Sequence, residues 1–162
     1  MSLQDQVLDI LKRDARTTPA EIAVMVGEEE AKVAALIRRL EETGVILGYK
    51  TIINPEQTTE DKVGCLIEVS VQPQRGHGFD KTAERIYRFQ EVQSVFLVSG
   101  TYDLLVVIEG RNLKEVANFV IEKLSVLPNV RSTTSHFLLK KYKEMGNILV
   151  EQRERERIPV SS

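Results

Sequence analysis

Gly100-Thr101-Tyr102-Asp103 joins two apolar runs, Val92 to Ser99 and Tyr102 to Glu109. Backbone N–H groups near Gly100 can take a carboxylate, and the anionic Asp103 side chain can take an ammonium. That pairing suits an α-amino acid. The same residues also make a plain hairpin turn, with Gly100 supplying an unusual dihedral and Asp103 hydrogen-bonding its neighbours; Tyr102 serves as packing or as a wall. A second set lies nearer the start. When Val33, Leu36, Ile37 and Leu40 face inward at helical spacing, the exposed face holds Glu28, Ala31, Lys32, Ala35, Arg38 and Glu42. Small side chains at Ala31 and Ala35 let a helix approach base edges closely. Lys32 and Arg38 can pair with guanine or phosphate, and Arg39 or Lys50 with the phosphate backbone. An ordinary solvated helix surface carries the same residue types.

Other chemistry finds little support. No nucleophile–base constellation, phosphate-cradling glycine loop or Gly-Xaa-Ser-Xaa-Gly is present, so no catalytic residue is assigned. With a single cysteine, Cys65, there is no disulfide framework or cysteine cluster. His77 and His136 lack paired spacing, so neither a metal nor a cofactor is expected. His77 reads as a loop residue, His136 as an edge or interface histidine that can touch an effector side chain, and Cys65 as a small core residue. The 162 residues are 42% hydrophobic and 28% charged, with 22 Lys plus Arg against 24 Asp plus Glu. That is a globular composition, and any nucleic-acid contact must come from local patches. No apolar run is longer than Leu104 to Ile108, far short of the roughly 20 residues that span a bilayer. Asp5, Asp9, Lys12 and Arg13 interrupt any signal-peptide core, so a cytoplasmic protein with no membrane partner is expected.

The elements that must position these residues follow from periodicity. Val7, Ile10 and Leu11 mark a first helix over about Gln4 to Ala15. Thr18-Pro19-Ala20-Glu21 is a helix start with a capping box, and Gly27 stops that second helix. The third runs from about Glu29 to Gly44. Val45 to Ile53 follows as an extended segment stopped by Asn54-Pro55, completing a winged helix-turn-helix outline. Polar residues 56–62 read as a linker. Beyond them, Val63 to Val71 alternates as a strand, and the chain turns at Gly76-His77-Gly78. A helix marked by Phe79, Ala83, Ile86 and Tyr87 comes next, then the two hairpin strands. Asn112 and Glu115 cap a further helix that closes at Pro128-Asn129, and Val130 to Tyr142 is the last strand. The predicted class is therefore α+β: a helix-turn-helix unit over 1–55, then a ferredoxin-like βαββαβ unit over 63–145. A charged tail occupies 146–162, alternating through Arg153 to Arg157. Both helices would cover one sheet face, and a second copy's sheet is the economical cover for the other.

In order and spacing, several segments resemble the leucine-responsive/asparagine regulator (Lrp/AsnC) family of prokaryotic transcription factors. They are Asp14-Ala15-Arg16, Glu21-Ile22-Ala23, the run Arg39 to Tyr49, Ser99 to Val106, and Val130 to Leu139, which together span residues 5 to about 143. The resemblance implies a homodimer or higher homo-oligomer, an N-terminal unit on double-stranded DNA, and a small effector, usually an amino acid, bound between subunits. Thr133 and Ser135 match hydroxyl positions of the family's last strand, so the resemblance adds them to Gly100, Thr101, Tyr102 and Asp103 as pocket lining. Thr134 and His136 project to the other side of that strand.

Two features pull against DNA. Through Gln57 the chain has seven Lys/Arg and ten Asp/Glu, a net of −3. Glu28-Glu29-Glu30 also stands where the family usually has a Leu-Ser pair; it complements the helix dipole but repels phosphate if it faces it. Weak affinity per half-site, rescued by multivalency, is the expectation. Two other readings stay open at this point. One is an effector-binding protein whose winged unit contacts a protein. The other is an enzyme similar to tetrapyrrole-processing decarboxylases, although the wing offers that chemistry only Tyr49 and Lys50.

Overall fold

The computed structural model describes residues 1–59, 62–73 and 78–150. The expected turn at Gly76-His77 and the alternating charges of Arg153 to Arg157 therefore lie outside the described residues, as do positions 60–61 of the expected linker. Two units divide the chain, Met1–Ile53 and Asn54–Ser162.

The first unit contains α1 (Leu3–Arg13), α2 (Pro19–Val26) and α3 (Glu30–Glu42). Thr18 and Glu21 form the expected capping box, and Ser2 with Asp5 forms a second at the start of α1. Gly27 adopts φ 73°, a left-handed geometry that L side chains resist, and it turns α2 sharply into α3. Val7, Ile22, Ala23 and Val33 make the buried core, with Leu36 and Ile37 packed against it. At the end of α3, the Val45 and Ile46 amides both donate to the Leu40 carbonyl. The expected β segment from Val45 to Ile53 is corrected: it is extended but forms no strand. The amides from Leu47 to Ile53 find no acceptor among the described residues. A strand needs a neighbour, and the described residues supply none there. Leu47 is left 95% exposed, and Val45, Tyr49 and Ile53 are exposed with it.

In the second unit the order is β1 (Val63–Val71), α4 (Asp80–Tyr87), β2 (Val92–Leu97), β3 (Leu104–Gly110), α5 (Leu113–Phe119) and β4 (Val130–Phe137). All sheet pairings are antiparallel, in the order β2-β3-β1-β4. Period-two alternation puts Cys65, Ile67, Val69 and Val71 on one face, level with Leu104, Val106 and Ile108 of β3. Ile86 of α4, with Val116 and Phe119 of α5, closes this core. Gly110 lets α5 sit tightly on the end of β3, since a Cβ there would lie 2.8 Å from Val116 Cγ2. The opposite face carries Leu66, Glu68 and Ser70 beside Leu105 and Val107, with Phe96 50% exposed at its margin. Its apolar part therefore stays in water in a single copy.

Three boundaries shift. α5 is shorter than its apolar stripe implies, passing into one π-helical turn at Val120–Leu124. The last strand stops at Phe137, and the chain then forms a hairpin of β5 (Lys143–Glu144) and β6 (Asn147–Ile148). Met145 (φ 48°) and Gly146 (φ 88°) make its two-residue turn. Residues 146–148 thus belong to the fold and not to a tail, and Leu149 is buried beside them. Pro55–Gln57 is a 3-10 turn capped by the Asn54 side chain, so the expected linker begins with ordered residues.

Candidate functional site

α3 presents Ala31, Lys32, Ala35, Arg38 and Arg39 to solvent, because Val33 and Leu40 anchor its other side in the core. Positions 31, 35 and 38 fall on one face by helical spacing. Arg39 lies one residue beyond, and Lys50 stands apart on the extended segment, also exposed. The segment is tied back to α3 by the Tyr49 hydroxyl, which donates to Glu41 Oε1 at 2.9 Å. Burial, and then that carboxylate, push the Tyr49 hydroxyl above its ordinary pKa.

Charge on this face is divided. Lys32 Nζ lies 2.8 Å from Glu28 Oε1, one turn back, so its ammonium is already engaged. Arg38, Arg39 and Lys50 form no ion pair among the described residues. Glu29 precedes the helix without a side-chain cap bond, and Glu30 opens its first turn, both exposed. Glu28→Gln removes one negative charge and releases Lys32 toward phosphate. The expected result at low salt is DNA affinity about two- to five-fold tighter, the scale of an exposed ion pair. The gain shrinks as salt screens it; anisotropy titrations at two ionic strengths measure both.

At the other candidate site, six residues, Val98 to Asp103, connect β2 to β3. Val98 N–H donates to the Asp103 carbonyl at 2.9 Å, and Asp103 N–H donates to the Val69 carbonyl at 3.1 Å. The Asp103 carboxylate is partly committed, because Oδ2 accepts the Val71 amide at 2.7 Å. The β1–β3 ladder stops at Val69–Leu104 and a bulge interrupts β1–β4 at Ser70/Val71, so Asp103 satisfies an amide that the ladders leave out. Gly100 corrects one expectation: its φ is not positive, so it supplies no unusual dihedral. A Cβ there would also meet nothing within 4 Å. Nothing among the described residues requires glycine at this position. The amides of Ser99, Gly100, Thr101 and Tyr102 have no acceptor among the described residues.

Thr133 and Ser135 pair with Val69 and Ile67, so both point to the helix side of the sheet. Thr133 shares the Val69 row with Leu104, at the hairpin end; Ser135 lies one row further along. Thr133 Oγ1 is 3.4 Å from Ser125 Oγ, a neighbour on the loop after the π turn that no sequence pattern signalled. His136 lies on the opposite face, with Nε2 3.1 Å from Glu68 Oε1. Cys65 is fully buried, which pushes its thiol pKa up. At the far end of the sheet, an open groove of about 330 Å³ is lined by Glu91, Arg111, Lys114, Phe119 and Lys123, among others, and shares no residue with the hairpin. Among the described residues no cluster could hold a metal ion, and no helix is long and apolar enough to cross a membrane.

The family model described as Lrp/AsnC ligand binding domain matches residues 64–148, and the one described as winged helix-turn-helix DNA-binding matches residues 5–46. A Bacillus subtilis protein described as an uncharacterized HTH-type transcriptional regulator, YugG, is 45% identical over 159 residues, covering 98% of this chain and 96% of its own length. In fold, the chain is similar to the leucine response regulatory protein of Mycobacterium tuberculosis (TM-score 0.73, 23% identity, 93% of this chain and 99% of that one). It is also similar to a transcriptional regulator from Neisseria meningitidis solved with L-Met (TM-score 0.69, 22% identity, 89% and 92%).

Proposed function

Because the chain belongs to the Lrp/AsnC family of DNA-binding transcriptional regulators, a family of regulators and not enzymes, we propose that a small amino acid bound between copies at the β2–β3 hairpin controls its assembly and its affinity for operators. The observation that carries this reading is the hairpin itself. Among the described residues, four amides from Ser99 to Tyr102 lack acceptors, beside a carboxylate of which only Oδ2 accepts a hydrogen bond. Gly100 is a glycine for which the described residues give no reason, as expected where another molecule approaches the backbone. An α-carboxylate on the amides and an α-ammonium on Asp103 satisfy both, with Thr133 and Ser135 adding hydroxyls. The L-Met bound to the Neisseria regulator supports that ligand class.

Duplex DNA is read by α3 through Ala31, Lys32, Ala35, Arg38 and Arg39, with Lys50 on the phosphate backbone. The working division is DNA reading within the expected 1–55 unit, in the residues ahead of Asn54, and effector binding in 63–145, completed by the β5–β6 hairpin. A homodimer or higher homo-oligomer covers the open sheet face around Phe96, Leu105, Val107 and Leu66. No resident cofactor is needed, and the protein works where the chromosome is. The effector must favour one assembly over another, or it shifts nothing. Genome-fragment selection with the purified protein, repeated with each amino acid alongside light scattering, tests the whole reading. Enriched fragments and a mass that changes with one amino acid are expected. A constant mass and unchanged DNA affinity with all of them would overturn the effector proposal.

A further inference from the structure

Resting on the multi-copy reading above, we propose that Asn54 is a latch. It fixes the point at which the tether of the DNA-binding unit leaves the effector unit, and so limits the half-site spacings that an assembled pair of copies accepts.

The chain's two units divide between Ile53 and Asn54. Between Leu47 and that boundary, only the Tyr49 hydroxyl, on Glu41, holds the tether among the described residues. The amides from Leu47 to Ile53 lack acceptors among the described residues, and Gly48 adopts φ 157°. At Asn54 the situation reverses within one residue. Its side-chain Oδ1 accepts the Glu56 amide at 3.1 Å and caps the Pro55–Gln57 turn, while Nδ2 donates to the Leu149 carbonyl at 2.9 Å. One primary amide thus holds the start of the unit against residues 95 positions later.

The surface that receives it is itself anchored. Leu149 is 5% exposed, and its amide donates to the Tyr142 carbonyl at 3.0 Å, closing the β5–β6 hairpin. Lys141 lies 3.0 Å from Glu144 and 3.7 Å from Glu109 of β3, and the Leu138 amide donates to the Gly64 carbonyl of β1. The C-terminal hairpin is therefore fastened to the sheet, and Asn54 fastens the tether to the hairpin. Freedom of the DNA-binding unit ends at Asn54 while the bond holds. If it opens, the stretch free to move lengthens to include Asn54 and the Pro55–Gln57 turn. Because effective concentration depends on tether length and stiffness, a longer tether flattens the preference between spacings without altering one unit's own contacts.

Asn54→Asp isolates the latch: it keeps the oxygen that caps the turn and removes the donor to Leu149. Asn54→Ser also keeps a capping oxygen and is too short to reach Leu149, so it serves as the second variant should the first fold poorly. Full-length wild type and variants are titrated with duplexes carrying one half-site, or two at a series of spacings, taken from fragments the wild type selects. Both variants are expected to bind the one-site duplex within twofold of wild type. Across spacings, the ratio of best to worst affinity should shrink about fivefold, and proteolysis between Leu47 and Gln57 should quicken by about the same factor, the scale of one lost hydrogen bond. A spacing profile that persists unchanged in both variants overturns the latch alone. A wild type indifferent to spacing overturns the latch and the multi-copy reading together.

Discussion

Arg38→Ala should weaken DNA binding by about 1–3 kcal/mol, a factor of roughly 5 to 150, without lowering the melting temperature. The magnitude follows from where the guanidinium stands. Arg38 is exposed on the same face of α3 as Ala31 and Ala35, whose methyl groups leave room for the helix to approach base edges. Lys32, the other cation of that face, is held by Glu28 at 2.8 Å, whereas Arg38 has no ion pair among the described residues. Its forked donors are therefore available for bidentate bonding to guanine or phosphate. Salt distinguishes the two. Loss of a phosphate contact weakens all sequences alike and lowers the salt slope by about one, whereas loss of a guanine contact relaxes sequence preference at one position. Anisotropy titrations of wild type and variant over several salt concentrations read both. Equal affinity at every salt concentration would remove Arg38 from the interface. The stability control matters because Arg38 is exposed, so a lowered melting temperature would mean that the substitution disturbs α3 itself.

What the sequence made legible was whatever local pattern dictates. The Thr18–Glu21 capping box, the inward Val33 and Leu40 of α3, and the alternation of Val63 to Val71 each depend on neighbours within a few residues, and each is found in the structure. Register then carries the alternation across strands, so the side of the sheet taken by Thr133 and His136 could be read from spacing alone. The misreadings have non-local causes. Val45 to Ile53 has strand-forming residues, but a strand also requires a partner, which periodicity does not report. Asn54 and Leu149 meet across 95 positions with no pattern to announce them. A glycine between two strands predicts a turn dihedral at Gly100, yet its φ is not positive, because a six-residue connection does not impose the dihedrals that a two-residue turn requires. At the candidate effector site, sequence could name Asp103 but not the Val71 amide that occupies one of its oxygens.

That shared carboxylate separates structure from function in a way that alanine alone cannot. Asp103→Ala removes the acceptor for Val71 N–H, which lies 2.7 Å from Oδ2, past the end of the β1–β3 ladder and at the bulge of β1–β4. An amide left half-buried without a partner costs about 1–3 kcal/mol, so this variant should melt earlier whether or not an effector exists. Asp103→Asn keeps a carbonyl oxygen for Val71 and loses only the negative charge. Its melting temperature should stay close to wild type, with the bond weakened from charge-assisted to neutral. If the carboxylate also holds an α-ammonium, the same variant forfeits a charge-assisted contact of about 1.5–3 kcal/mol, and calorimetry should find amino-acid affinity reduced more than tenfold. Light scattering should then show that the mass no longer responds to that amino acid at concentrations that reassemble the wild type. The opposite pattern, a stable Asp103→Asn protein with full affinity and full response, would leave Asp103 as the brace of the β2–β3 hairpin and assign the ammonium to another group. An earlier-melting asparagine variant would show that Val71 needs the charge itself, and the single-site affinity must then be read well below the transition, where both proteins are folded.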